Sequence, residues 1–195
     1  MLLKYAVYTA LLALLSVSLL AACTSSQATL PTSTPTTLTR STPITLQAGS
    51  PCQTSQLKLA DDGGDAGMSH GVGQFSYQNT SNSTCTLFGY PDIRILNGDH
   101  HAISTQITHV ESGYLFEPVP LKVVSLEPTA KAYFVVDWLN LCSANSPASA
   151  FLQATPPSQT SALTIALAGI PTCDGVGVSP VSSGDILNRA PSPGG

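Results

Sequence analysis

The sequence predicts an all-β domain, an immunoglobulin-like antiparallel β-sandwich of about seven to nine short strands that two disulfide bonds stabilise. Apolar residues recur at every second position in several short segments, which is the period of a strand with one buried face. Glycine, proline, asparagine and aspartate interrupt these segments at intervals of about 8–15 residues. No segment has a convincing helical period. A partly open barrel is the alternative architecture.

The strongest predicted strand is 130–138, where Ala132, Phe134 and Val136 share one face while Tyr133 and Val135 share the other. Residues 61–65 are acidic and glycine-rich and predict a turn or loop, and residues 97–99 predict a hairpin turn because they contain Asn-Gly. Shorter alternations or apolar runs predict the other strands at 56–60, 72–79, 85–87, 93–95, 102–110, 121–126, 150–154, 162–168 and 176–178.

Residues 1–22 predict a bacterial lipoprotein signal peptide. Lys4 supplies a positive charge, an apolar stretch follows, and small residues precede the cysteine in Leu20-Ala21-Ala22-Cys23. Cleavage there would make Cys23 the lipidated first residue, with a diacylglyceryl group that holds the chain on the outer face of the cytoplasmic membrane. Plain secretion and an uncleaved anchor are the alternatives, because about 20 apolar residues can span a bilayer.

The cysteines that remain after Cys23 are even in number, which in an exported chain indicates two disulfides. Three pairings of Cys52, Cys85, Cys142 and Cys173 are open. We favour Cys52–Cys85 and Cys142–Cys173, since each joins sequence neighbours whose intervening segment can fold back as a strand pair. A zinc site is disfavoured because no two cysteines have two to four residues between them.

The composition divides the rest of the chain into three parts. Residues 23–50 predict an extended tether, because residues 24–50 contain nine threonines, five serines and three prolines and too few apolar residues for a core. Residues 51–182 suit one β-domain. Residues 183–195 contain proline and glycine near their end and predict a disordered tail.

The low and acidic charge narrows the range of partners. The chain has seven lysines and arginines and a net charge of −4. So few basic residues cannot form a surface that follows phosphates, which disfavours nucleic acid and anionic lipid headgroups as partners. We expect a monomer whose contact with the membrane is the lipid on Cys23.

No group of residues indicates catalysis, a metal or a cofactor. His100 and His101 are adjacent and would point to opposite faces of a strand. Asp61, Asp62 and Asp65 lack the alternate spacing of a calcium loop. Ser69 and His70 are adjacent in sequence, which is not the geometry of a catalytic triad, and paired cysteines leave no free thiol. We therefore expect a protein that is not an enzyme and has no cofactor.

Three aromatic residues, Tyr114, Phe116 and Tyr133, are candidate contact residues, with packing in the core as the alternative. The first hypothesis is a non-enzymatic module that presents loops or an edge strand to wall polymer, solute or an exported protein. The alternative is an inhibitor or partner of an exported enzyme, and a hydrolase is the least favoured. An exposed apolar loop would favour the inhibitor or partner, whereas a flat or grooved aromatic surface would favour saccharide binding.

Residues 75–91, FSYQNTSNSTCTLFGYP in one-letter code, carry a resemblance. They resemble the signature of a family of domains of unknown function, frequent in actinobacterial exported proteins and lipoproteins. That signature is a strand ending in Asn-Thr-Gly, then Ser-Ser-Thr-Cys-Thr-Leu, one variable residue and Gly-Tyr-Pro. This chain departs from the family pattern at Ser81, Asn82 and Thr129. The resemblance covers 51–181 and implies the β-fold, the disulfides and an extracytoplasmic location, but no activity.

Overall fold

Ten β-strands and one short 3₁₀ helix form the part of the chain that the computed structural model describes, residues 49–142, 148–167 and 169–187. All of these residues belong to the compact unit Thr45–Gly195. The predicted signal peptide, Cys23 and nearly all of the tether lie outside the described residues. The 3₁₀ helix is Thr54–Gln56, and the strands are β1 Leu57–Gly67, β2 His70–Asn79, β3 Cys85–Leu87, β4 Asp92–Leu96, β5 Ile107–His109, β6 Val124–Leu126, β7 Lys131–Leu139, β8 Phe151–Thr155, β9 Leu163–Ala166 and β10 Val176–Val178.

The strands form three sheets in a sandwich-like arrangement. The largest sheet has five strands in the order β1-β2-β7-β10-β5, and the others are β3-β6 and β4-β8-β9. The predicted all-β fold is confirmed, with ten strands among the described residues where about seven to nine were expected. All neighbouring strands are antiparallel except β10 and β5, which are parallel. A parallel pair needs a long connection, and β6 to β9 lie between these two strands in the chain.

The inner face of the five-stranded sheet carries the main core. Phe75 and Tyr77 of β2 and Phe134 of β7 are fully buried. The Phe134 ring lies 5.6 Å from the Phe75 ring and 5.2 Å from the Tyr77 ring, between centroids. Aromatic pairs at these separations add to the stabilisation from area burial alone. The face of 130–138 that carries Ala132, Phe134 and Val136 is therefore the core face of β7.

The outer face of the same sheet is also covered. Val72 of β2 and Val135 of β7 are fully buried there and form a second cluster with Phe116, Val119 and Ile186. A strand that is buried on both faces has a continuous run of buried residues, as β2 has from 71 to 77. Packed structure extends past 182, where the sequence predicts the domain to end, as far as the described residue Leu187.

The first hairpin differs from the prediction, because residues 61–65 do not form its turn. They belong to β1, which continues to Gly67 with a bulge between Asp61 and Gly64. Gly63 has a φ of 88°, which glycine adopts without strain. The turn itself is Met68-Ser69, with φ values of 52° and 66°. The glycine-rich run that was predicted to form a turn is thus the bulge of a longer hairpin.

Several other strands are shorter than predicted. Only 107–109 of the expected strand 102–110 forms a strand, and Ala102 makes an isolated bridge to Leu96. The expected strand 121–126 is reduced to β6, and 162–168 to β9. The predicted hairpin turn near 97–99 is present, although its left-handed residue is His100, with a φ of 61°.

Both predicted disulfides are confirmed. Cys52–Cys85 joins the start of the domain to β3, and Cys142–Cys173 joins the segment after β7 to the segment before β10. Cys52 and Cys85 are buried, whereas Cys173 is exposed. Closing loops of this length stabilises a domain by about 3–4 kcal/mol each on the chain-entropy account.

Asn79 forms the most connected polar contact of the described structure. Its side chain is fully buried. Its Nδ2 donates to the carbonyl oxygens of Ser83 at 2.8 Å and Leu126 at 3.0 Å, while its Oδ1 accepts from the backbone N–H and hydroxyl of Ser81. Its backbone N–H donates to Ala130 O and its carbonyl accepts from Thr129 N–H, both at 2.9 Å. One residue therefore joins the end of β2, the turn that follows it, β6 and the turn before β7.

We expect Asn79→Ala to lower the free energy of unfolding by about 2–4 kcal/mol, because the buried bond to the Leu126 carbonyl and the part-buried bond to the Ser83 carbonyl lose their donor. Denaturant unfolding of the oxidised chain measures this loss. The matched control is Asn82→Ala, since Asn82 lies in the same turn but is exposed; it should change the stability by about 0.5 kcal/mol or less. Equal losses in the two variants would contradict the role given to the buried amide.

Candidate functional site

The turn of the first hairpin and the end of β7 meet at one end of the five-stranded sheet. Leu139 is the register partner of His70, and the Asn140 N–H donates to Ser69 O at 2.7 Å. This pairing brings exposed apolar side chains to the same end. Met68 is 80% exposed and Leu141 is 64% exposed.

Tyr114 joins this end from the segment between β5 and β6. Its ring stacks on the ring of His70 with 4.8 Å between centroids, and its side chain is exposed. We call Met68, Tyr114, Leu139 and Leu141 the hairpin-end surface. Single exposed apolar residues are ordinary on a protein surface, but four at one end of a sheet are typical of an interaction surface.

A cleft of about 290 Å³ adjoins the hairpin-end surface. His70, Asp137 and Trp138 line it from β2 and β7, and Asp174 and Gly177 line it from the β10 side. The Cys142–Cys173 disulfide joins the chain segments that continue from these two walls. The cross-link therefore limits how far the walls can separate.

Asp137 is the unusual residue of the cleft. It lies on the outer face of β7, half-buried, and its Oδ1 is buried without a hydrogen-bond partner. Burial raises the pKa of its carboxyl above the ordinary value, and the neighbouring His70 opposes this rise. Nδ1 of His70 is likewise buried without a hydrogen-bond partner. The cleft thus holds an acceptor whose hydrogen-bonding capacity the protein leaves unused.

A second cleft, of about 510 Å³, lies beside Tyr114. Phe116 and Glu117 line it from the same segment, and Ile186 and Leu187 line it from the C-terminal side. Glu117 is the only charged residue along it, so this cleft offers no convergent set of polar groups.

The three predicted contact aromatics do not form one surface. Tyr114 lies on the hairpin-end surface, but Phe116 is only 7% exposed and packs in the second cluster, which was the alternative reading. Tyr133 is half-buried farther along β7, where the ammonium of Lys131 lies 5.9 Å from its ring centroid. Cys23 lies outside the described residues.

The other polar residues considered in the sequence are dispersed. His100, in the turn after β4, stacks on Phe151, and His109, in β5, stacks on Tyr90, each with 4.0 Å between centroids. Asp61 accepts from the Gly63 N–H. Among the described residues, no three histidine, cysteine, aspartate or glutamate side chains are placed to hold a metal ion.

Sequence reasoning missed the cleft because its residues come from separate strands. The one available signal was Asp137, a carboxylate near the end of a largely apolar strand. Met68 was missed because the turn was placed at 61–65. Within the described ranges, no helix is long and apolar enough to cross a bilayer.

The fold and this site define a class of protein: a disulfide-bonded β-domain of an oxidising compartment outside the cytoplasm, with an apolar end beside an acidic cleft. A family model described as Domain of unknown function (DUF4232) matches residues 52–182, and the chain belongs to that family. No curated protein and no solved structure matches the chain.

Asp137→Asn should stabilise the domain near neutral pH. Because the folded-state pKa of Asp137 is raised, its contribution to stability is complete at low pH and is lost as the pH rises through that pKa. The uncharged amide of the variant does not ionise, so the variant does not lose this stability as the pH rises. We therefore expect its Tm at pH 7 to exceed that of the wild-type chain by about 2 °C or more, and the two Tm values to converge near pH 3. Thermal unfolding at both pH values measures the effect.

Asp99→Asn is the matched control, because Asp99 is exposed in the turn after β4. It should leave Tm nearly unchanged at either pH. A lower Tm for Asp137→Asn at pH 7 would mean that the carboxylate is a stabilising group, contrary to the interpretation above.

Proposed function

We propose that the protein is a lipid-anchored, extracytoplasmic and non-enzymatic module that binds another component of the cell envelope through the hairpin-end surface. The observation that carries the proposal is the concentration of exposed apolar side chains at one end of a cross-linked sheet. A protein that leaves large apolar groups in water at one place commonly covers them with a partner. The module would act as a monomer on the outer face of the cytoplasmic membrane.

Support for the anchor comes from the sequence. Leu20-Ala21-Ala22-Cys23 places small residues before a cysteine that can carry a diacylglyceryl group. Two acyl chains suffice for stable attachment, whereas one does not. The threonine-, serine- and proline-rich residues 24–50 would hold the β-domain about 30 Å from the bilayer if they form a flexible coil.

The chemistry of the surface favours an exported protein over wall polymer as the partner. Met68, Leu139 and Leu141 are aliphatic, and Tyr114 is the only exposed aromatic residue among the four. Saccharides bind best on flat aromatic faces with hydrogen-bonding neighbours, whereas aliphatic side chains are buried well by other proteins. An exposed apolar turn also fits an inhibitor or partner of an exported enzyme, which is the second candidate function.

Anchoring is tested at Cys23. Labelled palmitate should enter the wild-type chain and should not enter Cys23→Ser, and only the wild-type chain should sediment with membranes. The mass of the N-terminal peptide distinguishes the alternatives, because an uncleaved anchor retains residues 1–22. Equal membrane association of the two chains, both uncleaved, would refute lipid anchoring.

Binding is tested by replacing Met68 with a photo-crosslinking phenylalanine analogue in the source cells. We expect one discrete cross-linked protein, and about fivefold less of it when Leu141→Asp is added, because a charge in a buried apolar contact is costly. The same analogue at Ser125, an exposed residue of β6, is the control and should not give that product.

The identity of the product separates the alternatives. A heterogeneous product that collapses on muramidase digestion would assign the surface to wall polymer. An exported enzyme that loses activity when the purified chain is added would identify an inhibitor. Identical products from positions 68 and 125, or none from position 68, would reject the hairpin-end surface as a binding site.

A further inference from the structure

The cleft beside the hairpin-end surface is acidic, and among the described residues His70 is the one basic side chain that lines it. Asp137 and Asp174 line it, and no lysine or arginine does so among the described residues. Lys131, at the opposite end of β7, is paired with Asp62. The electrostatic potential of the cleft therefore favours a cation and disfavours anionic wall polymers and lipid headgroups.

One buried acceptor of the cleft has no hydrogen-bond donor. Oδ1 of Asp137 has no hydrogen-bond partner, although it is buried. A buried acceptor left without a donor costs about 1–3 kcal/mol. A donor supplied by a partner would recover this energy on binding, and a charged donor would recover more than a neutral one.

The size of the cleft limits what can enter. Its volume of about 290 Å³ lies at the lower end of small-molecule sites, which span about 300–1,000 Å³. It suits a single long side chain better than an oligosaccharide. Trp138 also lines the cleft, with a side chain that lies on the core face of β7, opposite to that of Asp137.

We propose that this cleft receives an arginine or lysine side chain of an exported protein partner, whose neighbouring apolar residues cover the hairpin-end surface. Asp137 and Asp174 pair with the cationic group, and Oδ1 of Asp137 accepts one of its N–H bonds. This inference rests on the proposed function and specifies the chemistry of the partner.

Trp138 provides the readout, because it is the only tryptophan of the chain and lines the cleft. The probe is the tripeptide N-acetyl-Leu-Arg-Leu-amide, added to the oxidised, exported chain in detergent while tryptophan emission is recorded. Two comparison peptides carry citrulline or glutamate in place of arginine. We expect a saturable change with the arginine peptide, and binding at least about tenfold weaker for the citrulline and glutamate peptides.

The Asp137→Asn variant should bind the arginine peptide about tenfold more weakly while remaining folded. Asp99→Asn, which removes the same charge elsewhere, should bind like the wild-type chain. This pair separates a local contact with Asp137 from the general attraction of an acidic protein for a cation. Met68→Asp should weaken the apolar contribution without removing the preference for arginine over citrulline.

Two results would overturn the inference. One is equal binding of the arginine and citrulline peptides to the wild-type chain, and the other is equal binding of the arginine peptide to Asp137→Asn and Asp99→Asn. Neither result would affect the proposed function, which the cross-linking at Met68 tests independently. Conversely, loss of the Met68 cross-link together with intact arginine binding would leave a cation site without the proposed protein partner.

Discussion

The carboxamide of Asn79 is the constraint on which most of the fold depends. The side chain is buried; its Nδ2 donates both to Ser83 in the following turn and to Leu126 in β6, while its Oδ1 accepts from Ser81. An asparagine in this position can donate and accept at once, which neither aspartate nor leucine of similar size can do. The amide holds β6 beside the end of β2, and β6 in turn pairs with β3, which contains Cys85. The Cys52–Cys85 disulfide and the Asn79 contacts therefore stabilise the same end of the domain.

The opposite end of the sheet is organised by the first hairpin and the second disulfide. The bulge in β1 allows this strand to continue pairing with β2 as far as His70, which displaces the turn to Met68-Ser69. The Cys142–Cys173 bond holds the segment after β7 near the segment before β10. The strands β7 and β10 are themselves paired, with Val176 opposite Trp138. As a result, one end presents a turn with exposed aliphatic side chains and a cleft between two cross-linked walls.

The sequence was sufficient to predict the features that depend on local pattern. The alternation in β7 identified both of its faces, and the cysteine spacing led to the correct disulfide pairing. The turn at 61–65 was predicted wrongly because glycine supplies positive φ angles to bulges as readily as to turns, and only the register with β2 distinguishes them. The placement of Phe116 depends on Val135 and Ile186, which are distant in sequence, so periodicity could not decide between core and surface. The cleft was not predictable for the same reason, since parallel pairing of β5 with β10 is a property of the whole sheet.

The two ends of β2 satisfy their polar groups differently, and this contrast bears on function. At Asn79 every polar side-chain atom has a partner, as expected of a site selected for stability. At the other end of the strand, His70 and its neighbour Asp137 each keep a buried polar atom without a hydrogen-bond partner, beside apolar side chains that remain in water. Gln74, Ser76 and Tyr77 of β2 also keep such an atom, but they do not line the cleft, whereas His70 and Asp137 do. Groups that destabilise the free protein but can be satisfied from outside are typical of a binding site, where the partner supplies the missing contacts. The same end combines these groups with a disulfide that keeps them in place, so a ligand would find the cleft largely preformed.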